Sequence, residues 1–194
     1  PFDRPEIIPL QAALHPEKLT QYVTARDLVA VYGSSHSAIL IVRALLEKTA
    51  AKKVINFYQS PLRYAVYLEN EILFDDTGLK GTTAAWAREN IDGQLPARLE
   101  RVQSTKENLE KYLPQCTKAV HAVGFQRRAL PVEGYGELLH NDKNGIIAPG
   151  LFGLGIAYPE AKTDRFGNLE QRVGLWKFMD YLSRIVPIWL RYPA

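Results

Sequence analysis

Six residues, Gly33-Ser-Ser-His-Ser-Ala38, lie between two apolar runs, Leu28-Val-Ala-Val-Tyr32 and Ile39-Leu-Ile-Val-Arg-Ala-Leu-Leu46. The first run reads as a buried parallel strand and the second as an apolar helix. A strand that turns on a glycine into a helix presents free backbone N–H groups beyond the turn. That end of a helix favours an anion such as a pyrophosphate. The spacing Gly33-x-Ser35-x-x-Ala38 fits the dinucleotide pattern G-x-G-x-x-G/A with one departure, Ser35 at the second glycine position. An ordinary α/β turn gives the same local pattern, so the chemistry depends on what the rest of the chain places around it.

The next strand expected, Lys52-Lys-Val-Ile-Asn-Phe57, closes a β-α-β unit of about thirty residues. Tyr58, Gln59 and Ser60 follow it, where the ribose of a dinucleotide would lie. An acidic residue there accepts the ribose 2′-hydroxyl and selects NAD, whereas an arginine accommodates a 2′-phosphate. No Asp or Glu occurs between Lys48 and Leu68, while Lys52, Lys53 and Arg63 are present. NADP is therefore expected over NAD, with Arg63 near the 2′-phosphate, since a carboxylate there would repel it. A plain surface cation is the other reading of Arg63.

Two later segments bear on the same site. Ala119-Val-His-Ala-Val-Gly124 reads as a buried strand ending on glycine, so that Ala122, Val123 and Gly124 can approach a nucleotide closely. Asn144 to Pro159 is a glycine-punctuated apolar stretch that includes Gly155.

In this order the three segments resemble the flavoproteins with two dinucleotide-binding domains, the thioredoxin-reductase-like and flavin-monooxygenase-like pyridine-nucleotide oxidoreductases. In that superfamily a Gly-x-Gly-x-Ser-Ala turn holds the NADPH pyrophosphate. Gly33, Ser37 and Ala38 match it, with Ser35 departing. A strand of the form apolar-x-Ala-x-Gly-Phe closes the NADPH domain, matched by Val120, Ala122, Gly124 and Phe125. A returning Gly-Leu-Phe-x-x-Gly-Asp-Ala segment contacts the flavin. Gly150, Leu151, Phe152, Gly155 and Ala157 match it, but Ile156 stands where the family has Asp. That Asp bonds the flavin ribityl and phosphate region, and Ile cannot.

The resemblance implies an α/β fold: a Rossmann-like NAD(P)H-binding domain with a parallel sheet over residues 27–125. Residues 1–26 would be an N-terminal arm or linker, and residues 126–194 a partial flavin-domain segment returning to a flavin-binding domain. The family's own N-terminal flavin strand does not occur before Asp27. The expectation is thus the C-terminal part of a longer flavin-dependent oxidoreductase, with hydride passing from NADPH to FAD. The FAD would sit mainly in an N-terminal flavin domain or partner subunit outside this chain, where a small-molecule substrate would meet it. The candidate cofactor residues are Gly33, Ser34, Ser35, His36, Ser37 and Ala38 for the pyrophosphate. Tyr58, Gln59, Ser60 and Arg63 would serve the ribose and 2′-phosphate, Ala122, Val123 and Gly124 the strand end, and Gly155 the flavin segment. No catalytic residue is assigned, because the chemistry belongs to the cofactors. Ser35 and Ile156 support an alternative, a degenerate and non-catalytic nucleotide-binding or interaction domain derived from that family.

The elements that must position these residues are those of an ordinary soluble chain. Of 194 residues, 46% are hydrophobic and 23% charged, enough for one sizeable core. A net charge of +3 without a Lys/Arg run points away from nucleic acid. No apolar stretch reaches membrane-spanning length. The one cysteine, Cys116, permits no disulfide, CxxC pair or thiolate metal site within the chain, so a cytoplasmic setting is expected. His15 and His140 lack metal-ligand spacing, Asp75-Asp76 begins an ordinary Asp-Asp-Thr-Gly turn, and no metal is expected. His36 reads as a water-bonded residue at the helix start and His121 as a hydrogen-bonded interior histidine. Arg127-Arg128 reads as a solvated pair. An amphipathic helix is expected from Glu170 to about Ile185, carrying Val173, Leu175, Trp176, Phe178, Met179 and Leu182, with Trp176, Phe178 and Met179 as core or interface.

Overall fold

Nearly every residue of Leu28–Tyr32 is apolar, and the strand it forms is buried from both sides. The structure, a computed structural model, describes residues 4–124 and 131–193. Phe125, Arg127 and Arg128, used in the sequence analysis, lie outside the described residues. In chain order the first elements are β1 (Glu6–Ile7), α1 (Leu10–Ala13), α2 (Pro16–Tyr22), β2 (Leu28–Tyr32), α3 (His36–Lys48) and β3 (Lys53–Tyr58). Next come β4 (Val66–Tyr67), β5 (Ile72–Leu73), α4 (Gly81–Ala87), a π-helical turn (Arg88–Gly93) and β6 (Leu99–Gln103). The remaining elements are α5 (Lys106–Tyr112), a 3₁₀ turn (Leu113–Gln115), β7 (Lys118–His121), β8 (Ile146–Ala148), β9 (Leu151–Phe152), β10 (Glu160–Thr163), β11 (Leu169–Arg172) and α6 (Leu175–Trp189). They form two compact units, Pro1–Tyr67 with Thr77–Gly124, and Leu68–Asp76 with Phe125–Ala194.

The first unit holds a five-stranded, all-parallel sheet in the order β1-β7-β2-β3-β6. It is an α/β fold of Rossmann-like type. From β2 the chain steps outward to β3 and β6, then returns to β7 on the other side of β2. That makes the carboxyl ends of β2 and β7 a topological switch point, where ligands of such sheets bind. Side-chain alternation splits β2 between two cores. Val29 and Val31 pack with α1, α2, α3 and α4, while Ala30 and Tyr32 pack on the side of α5.

Residues 1–26 were expected as an arm outside this domain; residues 4–26 are built into it. Glu6 and Ile7 pair in parallel with Lys118 and Ala119, and Ile8, Ala12, Ala13, Leu19 and Val23 are buried in the core. Pro5 and Pro9 bracket β1, and proline is tolerated beside a short edge strand. The prolines that suggested an irregular lead-in instead mark the ends of short elements.

The second unit is described by itself. β8 and β9 pair antiparallel, as do β10 and β11. The helix expected from Glu170 starts five residues later, because Leu169–Arg172 is a strand and Gly174, at φ +138°, separates it from α6. The buried residues of α6 are Tyr181 and Ile185. Trp176 and Met179, expected as core or interface, are 84% and 54% exposed and so are not core, and Leu175 beside them is 79% exposed. Trp189 instead anchors the end of the helix, stacking on Phe152 at 4.8 Å and donating Nε1–H to the Asn144 carbonyl at 2.6 Å. Among the described residues no helix is long and apolar enough to cross a membrane.

Candidate functional site

The end of β2 is tied to both neighbouring strands. The Gly33 N–H donates to the Phe57 carbonyl at 2.9 Å, and the Ala122 N–H donates to the Tyr32 carbonyl at 2.9 Å. Gly33 has φ +120°, and a Cβ there would collide with the Ala122 carbonyl and lie 3.2 Å from the Ala38 Cβ. Glycine is required at this turn on both counts. Across the same strand ends, Tyr32 stacks between Phe57 (5.1 Å) and His121 (4.6 Å).

Ser35 is the N-cap of α3, is exposed, and makes no side-chain cap hydrogen bond. Ser34 and Ser37 are half-buried, and Ala38 is fully buried beneath the turn. The His36 ring is partly covered, and its Nδ1 accepts the Lys80 backbone N–H at 3.4 Å. Burial, with help from the Lys80 charge, lowers its pKa, so the ring is neutral at pH 7. Its place at the helix start stands, but with a backbone partner in addition to any water.

The structure locates Tyr58, Gln59 and Ser60 where β3 ends at its carboxyl edge, Tyr58 half-buried and the other two exposed. Arg63 is exposed, and its carbonyl receives the Leu79 N–H at 2.8 Å. Lys52 and Lys53 belong to the opposite end. Lys53 begins β3, about 17 Å from Tyr58 at strand rise. It pairs there with Glu100. These two lysines therefore do not supply charge to the carboxyl end of β3.

β7 stops at His121, three residues before the glycine that was expected to end it. Gly124, at φ +98°, is exposed with open space where a side chain would be, and Val123 is 71% exposed. The close approach at this strand end is instead made by Ala122 against Gly33. His121 was expected in the interior; its ring is exposed and lies flat on Tyr32. Gly155 belongs to the second unit, at φ +93° and likewise with open space beside it, and the following Ile156 is 55% exposed. Cys116 is buried, and burial pushes its thiol up to about 11, which leaves it protonated and unreactive at neutral pH. In the second unit Asp75 pairs with Lys177, and the Asp76 carboxylate accepts the Gln171 N–H at 3.2 Å.

Asn56 and Arg101 escaped the sequence reading. Asn56 is completely buried, and its amide donates to the Val31 carbonyl at 3.0 Å and the Gly33 carbonyl at 2.8 Å. Its Oδ1 accepts Nε–H of Arg101 at 2.9 Å, and the Arg101 guanidinium lies 4.6 Å from the Tyr58 ring centroid. Burial lowers the Arg101 pKa, opposed by the neighbouring Tyr58, Asp92 and Tyr64. The Tyr64 hydroxyl donates to Asp92 at 2.5 Å, and the Arg88 guanidinium lies 4.3 Å from the Tyr64 ring centroid. An asparagine inside Lys-Val-Ile-Asn-Phe-Tyr was the available signal, since a polar residue in a buried strand needs partners.

Comparison with known proteins gives one further observation. The chain is 36% identical over 208 residues to monooxygenase AgnR1 of Paecilomyces divaricatus, an alignment covering 93% of this chain and 53% of the relative. This chain is similar to a monooxygenase. It spans about half the length of that curated relative. No family model and no solved structure matches it. The similarity is thus to part of an oxidoreductase, and it runs through both units rather than the nucleotide turn alone.

Proposed function

We propose that this chain is the NADPH-binding portion of a flavin-dependent, monooxygenase-type oxidoreductase of the two-dinucleotide-domain superfamily. The observation that carries the reading is the switch point of the parallel sheet. There Gly33 packs against Ala122 and the chain turns directly into the apolar helix α3. Similarity to a monooxygenase over 93% of the chain supports the reaction class.

The residues fit such a cofactor. The first N–H groups of α3, with Ser34, Ser35 and Ser37, would receive the pyrophosphate, and neutral His36 would border it without adding charge. Tyr58, Gln59 and Ser60 would border the ribose, with Arg63 serving the 2′-phosphate. No carboxylate occurs in that stretch, which favours NADP over NAD. Ala122, Val123 and Gly124 would border the cofactor where it crosses β7. NADPH supplies a hydride, and FAD in the longer protein would accept it.

The flavin is a different case. At Gly155 the exposed Ile156 has no acceptor for ribityl hydroxyls, so this position would not supply the contact that the family's Asp makes; either other contacts hold the flavin or it has been lost. The proposal therefore assigns FAD, and the small-molecule substrate, to a flavin domain or partner subunit outside the chain. A cytoplasmic setting belongs to the same proposal. Ile156 also favours a second reading, a nucleotide-binding domain without catalysis. Anaerobic spectrophotometry of the full-length protein separates the two. Flavin absorbance that bleaches with NADPH, and faster than with NADH, is expected. Absence of bleaching together with absence of NADPH binding overturns the proposal in favour of the second reading.

A further inference from the structure

Asn56 is the most deeply buried polar residue among the described residues, in the middle of a strand otherwise built to pack apolar side chains. Its orientation is fixed by chemistry. Arg101 can only donate, so the Asn56 oxygen faces β6 and both amide hydrogens face β2. Those hydrogens hold two carbonyls of different kinds. Val31 lies within the ladder, paired with Asn56 in register, whereas Gly33 lies past the last paired residue, on the turn itself.

The pair does not serve packing well. The Nη2 of Arg101 is buried without a hydrogen-bond partner. Two apolar side chains of the same volume would remove that unmet donor. What Asn56 provides instead is direction. In a trans peptide the carbonyl of one residue and the N–H of the next point opposite ways. Turning the Gly33 carbonyl toward Asn56 therefore turns the Ser34 N–H away from it.

We infer that Asn56, held in place by Arg101, is a positioning residue for dinucleotide binding: by pulling the Gly33 carbonyl into the sheet it points the Ser34 N–H at the pyrophosphate. This rests on the reading that a dinucleotide lies over Gly33 to Ala38. It adds a residue on β3 that never touches the ligand, and a second on β6 that acts through the first.

Calorimetric titration of the full-length protein with NADP⁺ and with 2′-AMP tests it, because 2′-AMP carries the adenosine 2′-phosphate but no pyrophosphate. Asn56→Asp keeps the volume and the Arg101 bond but sets a carboxylate oxygen against the Val31 and Gly33 carbonyls. NADP⁺ binding should weaken about tenfold or more, the worth of a hydrogen bond to a charged group. Binding of 2′-AMP should stay within about twofold, as expected for a separate subsite. Arg101→Lys keeps the charge on an edge strand but loses the planar Nε donor. It should shift NADP⁺ in the same direction by less, but Arg101 also lies against Tyr58, so Asn56→Ser, which loses both amide donors without adding charge, carries the comparison of the two ligands if Asn56→Asp does not fold. Equal loss of both ligands, or loss of neither, overturns the inference and leaves Asn56 a residue of the fold alone. A wild-type protein that binds no NADP⁺ overturns the dinucleotide reading and this inference together.

Discussion

The two units are held together by different means. In the first, Phe57, Ile8, Leu19, Ile39, Ile41, Leu45, Ile55 and Leu79 are almost wholly buried, and a central parallel sheet has helices on both faces. In the second, Tyr181 and Ile185 are the only large side chains among the described residues to reach that depth. Ionic contacts take a larger share there. Arg172 and Arg184 both bind the buried Glu160, at 2.7 and 2.8 Å, and both also reach Asp180. Lys177 joins Asp75 and Glu170. Meanwhile Leu175, Trp176 and Met179 remain open on α6. Apolar burial is insensitive to pH and ionic contacts are not, so the two units should respond to different insults.

The sharpest contrast should come from Gly33 in the first unit. Gly33→Val combines a left-handed φ with a collision against the Ala122 carbonyl. It should cost about 3 kcal/mol or more, because a packed strand end cannot relax around a new branched side chain. Chemical denaturation followed by circular dichroism reads this. A loss under about 1 kcal/mol would mean that the β2–β7 junction is looser than its geometry, and that the first unit is less rigid than the second unit's contrast implies.

Glu160→Gln probes the second unit through its ionic contacts. Burial alone would raise the Glu160 pKa, but hydrogen bonds from Arg184 and Arg172 outweigh it and hold the carboxyl below its ordinary value. A carboxylate depressed in the folded state stabilises it above the ordinary value of 4.5 and loses that contribution as pH falls through the depressed one. Removing the charge should cost about 2 kcal/mol at pH 7, somewhat less than breaking a fully buried pair. It should also flatten the fall in stability below pH 4.5. Asp27 behaves likewise in the first unit: burial is outweighed by hydrogen bonds from Thr117 and Thr24, and its ordinary value is 3.8. Acid should therefore weaken the second unit through Glu160 from pH 4.5 downward, and the first through Asp27 and through Glu100, whose carboxyl the hydrogen bond from Lys53 also holds below 4.5. Thermal unfolding of both proteins between pH 3 and 7 checks this, and parallel curves would remove Glu160 from the account.

The same contrast governs what could be read from the sequence. β2, α3 and β3 were legible because apolar runs punctuated by Gly33 leave little choice, and the limits of β2 and β3 fell within a residue of expectation. β10 and β11 were not. Glu-Ala-Lys-Thr and Leu-Glu-Gln-Arg carry too few apolar residues to show a period of two, and their turn at Asp164 to Asn168 was the remaining signal. In the candidate site, the residues along the backbone path were legible: Gly33, the start of α3, and the end of β3. Asn56 and Arg101 were not, because they meet only through strand register, Asn56 opposite Arg101, which no local pattern reports. The core half of the reading for Trp176 and Met179 was not met, for a related reason. Helical spacing defines a stripe but not which stripe is covered, and on α6 it is the one through Tyr181 and Ile185.

Trp176 gives the smallest expected effect and the closest check on that last point. At 84% exposure its ring has little apolar area to lose, so Trp176→Ala should change stability by no more than about 0.5 kcal/mol. A buried aromatic truncated in the same way costs about 3–5 kcal/mol, which leaves a wide gap between the two outcomes. Denaturant unfolding of the variant at neutral pH decides between them. A small change keeps the second unit as one whose order comes from Glu160, Lys177 and the buried stripe of α6. A loss of about 2 kcal/mol or more would mean that the Trp176 ring is covered in solution, by whatever lies against α6 there. The second unit would then depend on apolar burial as the first does.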